Sequence, residues 1–557
     1  MAQSSTPQAK GLHHLSPFEL KDELIRWAKD YTHNKAATNK FLNAGRGNPN
    51  WIATTPRESF FLLGQFALDE SKRVWDEPDL GGMPHEEGIA DRLRDFLTHV
   101  KKSPGANLLR RSLDYGVKQL GFDPDAFVHE LVDSVVGDNY PVPDRMLVHA
   151  EQVVHKYLEQ EMFGGKPPPG KFDLFAVEGG TAAMCYVFGS LMENHILRHG
   201  DTIALGTPIF TPYVEMPRLN DFELKTIEVR QSKMGDGGRH VWQYTDEELK
   251  KLEDPKVKAF FIVNPSNPAS FAMSKEAYDK IVNLVRTKRR DLLILTDDVY
   301  GTFTENFRSM ATDLPENTIL VYSFSKYFGC TGWRLGVVAM HENNVVDRML
   351  TKLTDKEKKQ LDERYRPLTP SASTMKFIDR MVADSRDVAL NHTAGLSLPQ
   401  QTQMTLFSLF ALLDDGNEYK QRCQKIVHDR WQRLIKGLAI DLPDDPLRVA
   451  YYADLDLEVW GKNIIGEDFA KYVAEHHDPL DIVIGLARRF GTVLLNGSGF
   501  DGPPWSARVS LANLNADEYE TIGKNLREIA MAAVEEWRLS KKQGGNGNGN
   551  GGKKKGG

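Results

Sequence analysis

Between Lys171 and Met340 the chain repeats short apolar runs, FDLFAV, TIALG, FELKTIEV, KAFFIV, LLILT, ILVYS and LGVVAM, separated by helical patterns or turn clusters. Runs such as LLILT and AFFIV are apolar at successive positions instead of alternating, as expected of strands covered on both faces. They predict an α/β fold with a mostly parallel seven-stranded sheet and helices on both faces. C-terminal to Met404 the pattern lengthens into helices such as EYKQRCQKIVHDRWQRLIKGL, followed by strand-like VAYYADLDLEVW and ARVSLANL. That stretch predicts a second, smaller α+β domain.

The expected organisation is an N-terminal arm with part of the small domain over 1–60 and a helical insertion over 61–136. The large domain covers 137–395, the C-terminal small domain 396–540, and a disordered Gly/Asn/Lys tail 541–557. Within the large domain, about 345–386 is charged and helix-prone (LTDKEKKQLDERYRP) and reads either as an insertion serving an oligomer contact or site cover, or as a solvated helical excursion.

The 557 residues carry a formal net charge of −7 with both signs mixed, which offers no attraction to nucleic acid or an anionic membrane. A small molecule is the expected partner. Cys185, Cys330 and Cys423 lie far apart without CxxC spacing, so no disulfide framework or metal site is indicated, and His13 with His14 lacks a third ligand. With no apolar stretch near the roughly 20 residues that span a bilayer, and no apolar leader core, the chain is expected in the cytoplasm.

Open parallel sheets place ligands at the carboxyl ends of their strands, so the residues after each apolar run carry the chemistry. FDLFAV is followed by Glu178-Gly179-Gly180-Thr181-Ala182-Ala183 at a strand-to-helix turn, which offers N–H groups and a hydroxyl to a phosphate. AFFIV leads to NPSNP with Asn267, LLILT to Asp297 and Tyr300, and ILVY to Ser323, Ser325 and Lys326, with Arg334 eight residues on. Phe210 in TPIFTPY is an aromatic candidate to stack on a ring. A lysine for an aldehyde, a carboxylate for a pyridine nitrogen, donors for a ring hydroxyl and an anion site are the parts that pyridoxal 5′-phosphate (PLP) requires. Lys326 is the candidate Schiff-base lysine. Each residue alone has a plainer reading as a cap, a packing aromatic or a surface lysine; the order of the set changes that.

That order resembles the fold-type-I PLP enzymes of the aspartate aminotransferase superfamily: a Gly-Thr phosphate turn, NPxNP, Asp-x-x-Tyr, then Ser-x-Ser-Lys with its arginine. The resemblance runs from about Leu42 to Leu514. It implies further roles: Gly45 and Arg46 on a loop closing over substrate, Arg508 of ARVSLANL on the α-carboxylate, Asn267 beside it, and Tyr140 lent to a neighbouring subunit's phosphate. A homodimer, alone or in a larger assembly of dimers, is implied with it. A long segment, roughly Thr54 to Val136, separates the loop from Tyr140 and departs from the common pattern. GSGFDG at 497–502 spells GxGxxG but precedes two prolines and a strand-like run, so it reads as a turn presenting Arg508 and not as a dinucleotide site.

Cofactor motifs do not choose the reaction. FLNAGRGNPNW, NYPVPDRML, NHTAGLSLPQQTQM and NGSGFDGPPW most resemble the aspartate 4-decarboxylase branch of the superfamily. This implies L-aspartate converted to L-alanine and CO2, with aminotransfer to 2-oxo acids as a side reaction and Arg46 with Thr393 near the distal carboxylate. The alternatives are an ordinary aspartate or broad-specificity aminotransferase and, more remotely, a PLP-binding regulator.

Overall fold

A computed structural model describes residues 11–12, 15, 17–34, 40–390 and 395–546. His13, His14, Thr393 and positions 547–557 of the tail lie outside the described residues. The seven apolar runs form one sheet: β1 Phe172–Val177, β2 Thr202–Thr207, β3 Lys225–Arg230, β4 Val257–Val263, β5 Leu293–Asp297, β6 Thr318–Ser323 and β7 Gly336–His341. Its order is β1-β7-β6-β5-β4-β2-β3, and only β7 runs antiparallel to its neighbours. Every residue of β5 and β6 is buried, which is why these runs lack polar alternation. Because β1, β4, β5 and β6 point the same way, their polar ends meet at one edge.

A second, three-stranded antiparallel sheet is built from β8 Tyr452–Asp456, β9 Leu495–Asn496 and β10 Ser506–Ser510, with β10 in the centre. The strand-like VAYYADLDLEVW is a strand only as far as Asp456. There the side chain of Asp456 accepts the Val459 N–H and caps a helix over Leu457–Ile464, so the cap ends the strand. The GSGFDG segment is a 3-10 turn over Gly497–Phe500 that leads into β10, and no helix opens from it. Near the N-terminus Leu42–Asn43 pairs in parallel with Thr492–Val493, and the Ser510 N–H donates to Ala44 O at 2.8 Å. These bonds hold the segment 45–48 against β10.

Residues 54–136 fold into four helices, Thr54–Val74, Ile89–His99, Pro104–Gln119 and Pro124–Val136. Two start by the same device: Ser103 and Asp123 each accept an N–H three residues on, with proline at the helix start. Leu63, Phe66, Leu93, Leu109, Phe127 and Leu131 give this group its own apolar cluster, to which Leu406 and Leu409 of the helix Leu398–Leu412 contribute. The charged stretch after β7 is not a solvated excursion throughout. Its last helix, Phe377–Asp384, buries Phe377 and Met381, and Asp384 accepts from Ser190 Oγ at 2.6 Å and Tyr365 Oη at 3.0 Å. At the C-terminus a helix runs over Ala516–Asn546, so 541–546 are helical where disorder was expected, because the final helix continues into the polar tail.

Candidate active site

The converging strand ends enclose a cavity of about 370 Å³ at the sheet edge, walled on its far side by the segment 45–48 and by β8 and β10. Gly45, Arg46, Gly180, Thr181, Phe210, Asn267, Asp297, Tyr300, Ser323, Ser325, Lys326, Arg334 and Arg508, all expected from the sequence, line it. Ala182 lies one helical position beyond the lining. Tyr140 is 66% exposed and does not line the cavity of its own chain.

Lys326 projects from the turn after β6, and its Nζ donates to Gly47 O at 3.2 Å. Asp297, at the end of β5, is buried and fixed from two sides: Tyr213 Oη donates to its Oδ2 at 2.7 Å and the Val299 N–H to its Oδ1 at 3.1 Å. Burial pushes the Asp297 carboxyl above the ordinary value, while these two hydrogen bonds and the Lys326 charge pull the other way. Tyr300 Oη donates to Tyr452 Oη at 3.1 Å, and burial first, then the neighbouring tyrosines, holds its hydroxyl well above the usual phenol range.

The helix Gly180–Glu193 begins at Gly179, which has φ +95° and gives its first turn no side-chain cap, so the helix-start N–H groups remain available to an anion. A Cβ on Gly179 would stand 2.6 Å from Arg334 Nη2. The guanidinium therefore lies directly over the glycine, oriented by Arg334 Nη1 donating to Thr331 O at 3.0 Å. Ser323 Oγ donates to Ser325 Oγ at 3.0 Å on the same side, completing a set of hydroxyl, N–H and guanidinium donors.

Arg508, on the central strand β10, is 4% exposed. Its Nη2 donates to Gly45 O at 2.9 Å and its Nη1 makes a long contact of 3.4 Å with Asn267 Oδ1, while the buried Nε has no acceptor. The rings of Tyr452 and Phe500 sandwich it at 4.5 and 4.8 Å. A buried guanidinium with donors to spare has the charge and geometry to receive a carboxylate. Tyr213 and Tyr452 were not singled out in the sequence, nor were Lys21 and Thr331, which also line the cavity, whereas Gly47 and Asn48 of the lining belong to the loop expected over substrate. Tyr213 carried a signal, standing one short helical turn after Phe210, with which its ring packs edge-on at 5.3 Å. The others carried none.

An anion cradle at a helix start, a fixed buried carboxylate, a phenol with an amide, a lysine on the turn after β6 and a guanidinium with donors to spare together fit pyridoxal phosphate and an amino-acid substrate. Fold and donor set define the class of fold-type-I PLP-dependent enzymes. Residues 177–523 match the model of the family described as aminotransferase class I and II, and the chain belongs to that family. It is 48% identical over 536 residues, 96% of this chain and 99% of the relative, to the Pseudomonas protein named bifunctional aspartate aminotransferase and L-aspartate beta-decarboxylase. A tyrosine aminotransferase of Dictyostelium discoideum is 25% identical, covering 59% of this chain and 79% of its own. Two solved structures share the fold. The aromatic aminotransferase of Pyrococcus horikoshii OT3 has a TM-score of 0.55 at 18% identity, covering 92% of this chain and all of its own. A Thermus thermophilus aspartate aminotransferase tetra mutant has a TM-score of 0.53 at 16% identity, with coverage of 88% and 97%.

Proposed function

We propose that this chain is a PLP-dependent aspartate β-decarboxylase that converts L-aspartate to L-alanine and CO2, with aspartate aminotransfer to 2-oxo acids as a side reaction. The observation that carries the reading is the end-to-end 48% identity with the bifunctional Pseudomonas relative. The aminotransferases of shared fold match far more weakly.

Bound PLP supplies an electron sink for bonds broken at the α-carbon and, one carbon further on, at the β-carbon. Lys326 would anchor it, and as a free amine would move the proton at the substrate α-carbon; its Nζ lies in the cavity beside Gly47 O. Asp297 holds the ring nitrogen protonated, and Tyr213 keeps that carboxylate aimed. Tyr300 and Asn267 hold the ring hydroxyl, and Phe210 covers one ring face. Gly180, Thr181, Ala182, Ser323, Ser325 and Arg334 take the phosphate. Tyr140 serves a second copy's phosphate across a dimer interface, a role its exposure supports. Arg508 grips the α-carboxylate through the donors its own chain leaves open.

The β-carboxylate must lose its charge as CO2, so gripping it as tightly in the ground state as in the transition state adds nothing to turnover. Arg46, exposed at the cavity mouth, orients that group without burying it. Among the described residues no helix is long and apolar enough to cross a membrane, and all three cysteines are free; we place the activity in the cytoplasm.

Product analysis tests the reading. Purified holoenzyme given L-aspartate alone should release CO2 and alanine in equal amounts over many turnovers. Amino transfer that stops without an added 2-oxo acid, with no CO2, would leave an ordinary aminotransferase.

A further inference from the structure

Tyr452 of β8 is buried and lines the cavity around Lys326. It stands two residues before Asp454, the cross-strand partner of Arg508, so its side chain leaves the small sheet on the face that carries Arg508. Its ring covers that guanidinium at 4.5 Å, and its hydroxyl reaches on to Tyr300, whose Oη donates to it at 3.1 Å. The side chain thus spans from the proposed receiver of the α-carboxylate to the proposed holder of the cofactor's ring hydroxyl.

The phenols of Tyr300, Tyr451 and Tyr452 pack ring against ring with centroids 5.0–5.6 Å apart, and their hydrogen bonds leave one proton over. Tyr451 Oη donates to Gly47 O at 2.9 Å, and Lys326 Nζ donates to the same oxygen at 3.2 Å. Tyr300 spends its proton on Tyr452. Among the described residues the O–H of Tyr452 itself meets no acceptor. A Cβ on Gly47 would stand 2.6 Å from Tyr452 Oη and 3.3 Å from Lys326 Nζ, so one small gap separates the phenol from the amine. A hydroxyl with its proton uncommitted, beside the amine that works on the substrate, is equipped to deliver that proton.

Loss of the β-carboxylate demands a proton that the carboxylate does not bring. The bond between the β-carbon and its carboxyl carbon breaks, CO2 leaves, and the electron pair left behind must take one proton at the β-carbon to complete the methyl group of alanine. Lys326 already serves the proton at the α-carbon. We propose that Tyr452 is a catalytic residue, the acid that protonates the β-carbon, and that water restores its proton between turnovers. The β-carbon lies two bonds from the carboxyl carbon that Arg508 receives, and Tyr452 is the phenol whose ring covers Arg508. This role rests on the proposed decarboxylation and names the group that completes it. Aminotransfer needs no proton at the β-carbon and so does not call on Tyr452 as an acid.

The test follows L-alanine in heavy water by proton NMR with the holoenzyme. The parent should exchange hydrogen at both the α- and the β-carbon, because protonation of the β-carbon runs backwards through the same group. Tyr452→Phe keeps the ring over Arg508 and removes only the hydroxyl. Its β-exchange should fall about 10²-fold or more, the lower range for a removed general acid, while α-exchange on the same sample stays within about threefold. Cofactor absorbance titrated with 2-methylaspartate, which has no α-hydrogen to lose, should give the parent's affinity and show that Arg508 and the cofactor are held as before. β-Exchange that survives the substitution, α- and β-exchange lost together, affinity for 2-methylaspartate lost along with exchange, or a parent that exchanges no β-hydrogen overturns the role of Tyr452. A parent that makes no CO2 from aspartate overturns the proposed function instead, and the alanine exchange still decides whether Tyr452 is an acid at the β-carbon.

Discussion

Arg508→Lys separates charge from geometry at the carboxylate receptor. Of the arginine's donors, Nη2 is committed to Gly45 O at 2.9 Å, Nη1 is barely engaged at 3.4 Å from Asn267, and Nε is open. A substrate carboxylate docking end-on across the second N–H of Nη2 and Nη1 gains two charge-assisted hydrogen bonds, each worth about 1.5–3 kcal/mol. Lysine keeps the charge and restores one of the two, so the expected loss is about 1.5–3 kcal/mol, or roughly 10- to 150-fold in kcat/KM. The assay is CO2 release at sub-saturating aspartate, with cofactor absorbance confirming that PLP is still held. The sandwich between Tyr452 and Phe500 keeps either side chain in place, so misplacement is not a ready excuse. A variant within a factor of three of the parent would refute the assignment of the receptor.

Three further outcomes are expected. Lys326→Ala should lose at least about 10²-fold in turnover, the lower range for a removed general base, while still taking up PLP non-covalently, as shown by absorbance before and after gel filtration; retained turnover would remove Lys326 from the chemistry. Gly179→Ala combines a positive φ, +95°, with a Cβ 2.6 Å from Arg334 Nη2, and backbone strain of about 1–3 kcal/mol should weaken PLP affinity roughly 5- to 150-fold in a cofactor titration. Asp298, buried beside Asp297, is pushed up by burial to about 7 from 3.8, so the folded chain keeps its proton to higher pH than the unfolded chain. Its contribution to stability therefore falls as pH rises from about 4 through 7, by about 4 kcal/mol, and Asp298→Asn should gain on the parent by that order in unfolding experiments between pH 4 and pH 8. Parallel pH curves for the two proteins would contradict the burial argument.

The sheet and most of the cofactor side of the cavity were legible along the chain. Strands buried on both faces must be apolar throughout, and parallel strands must present the residues after their carboxyl ends at one edge, so Gly180, Asn267, Asp297, Tyr300, Ser323 and Lys326 each announced themselves within four residues of an apolar run. Family resemblance pointed to Arg508, but its open Nε depends on how β10 sits against the segment 45–48. Tyr213 on Asp297 and Tyr452 on Tyr300 are contacts between residues 84 and 152 positions apart, made only when the segment after β2 and the small sheet dock on the strand ends. Asp454 reads as an ordinary strand residue until antiparallel register sets it beside Arg508 and packing seals it from water. Local pattern determined which residues stand at strand ends, because burial and periodicity are written locally. Which groups share a cavity, and which of their hydrogen-bonding atoms remain open, was decided by long-range packing, because that depends on the approach of segments that no local pattern encodes.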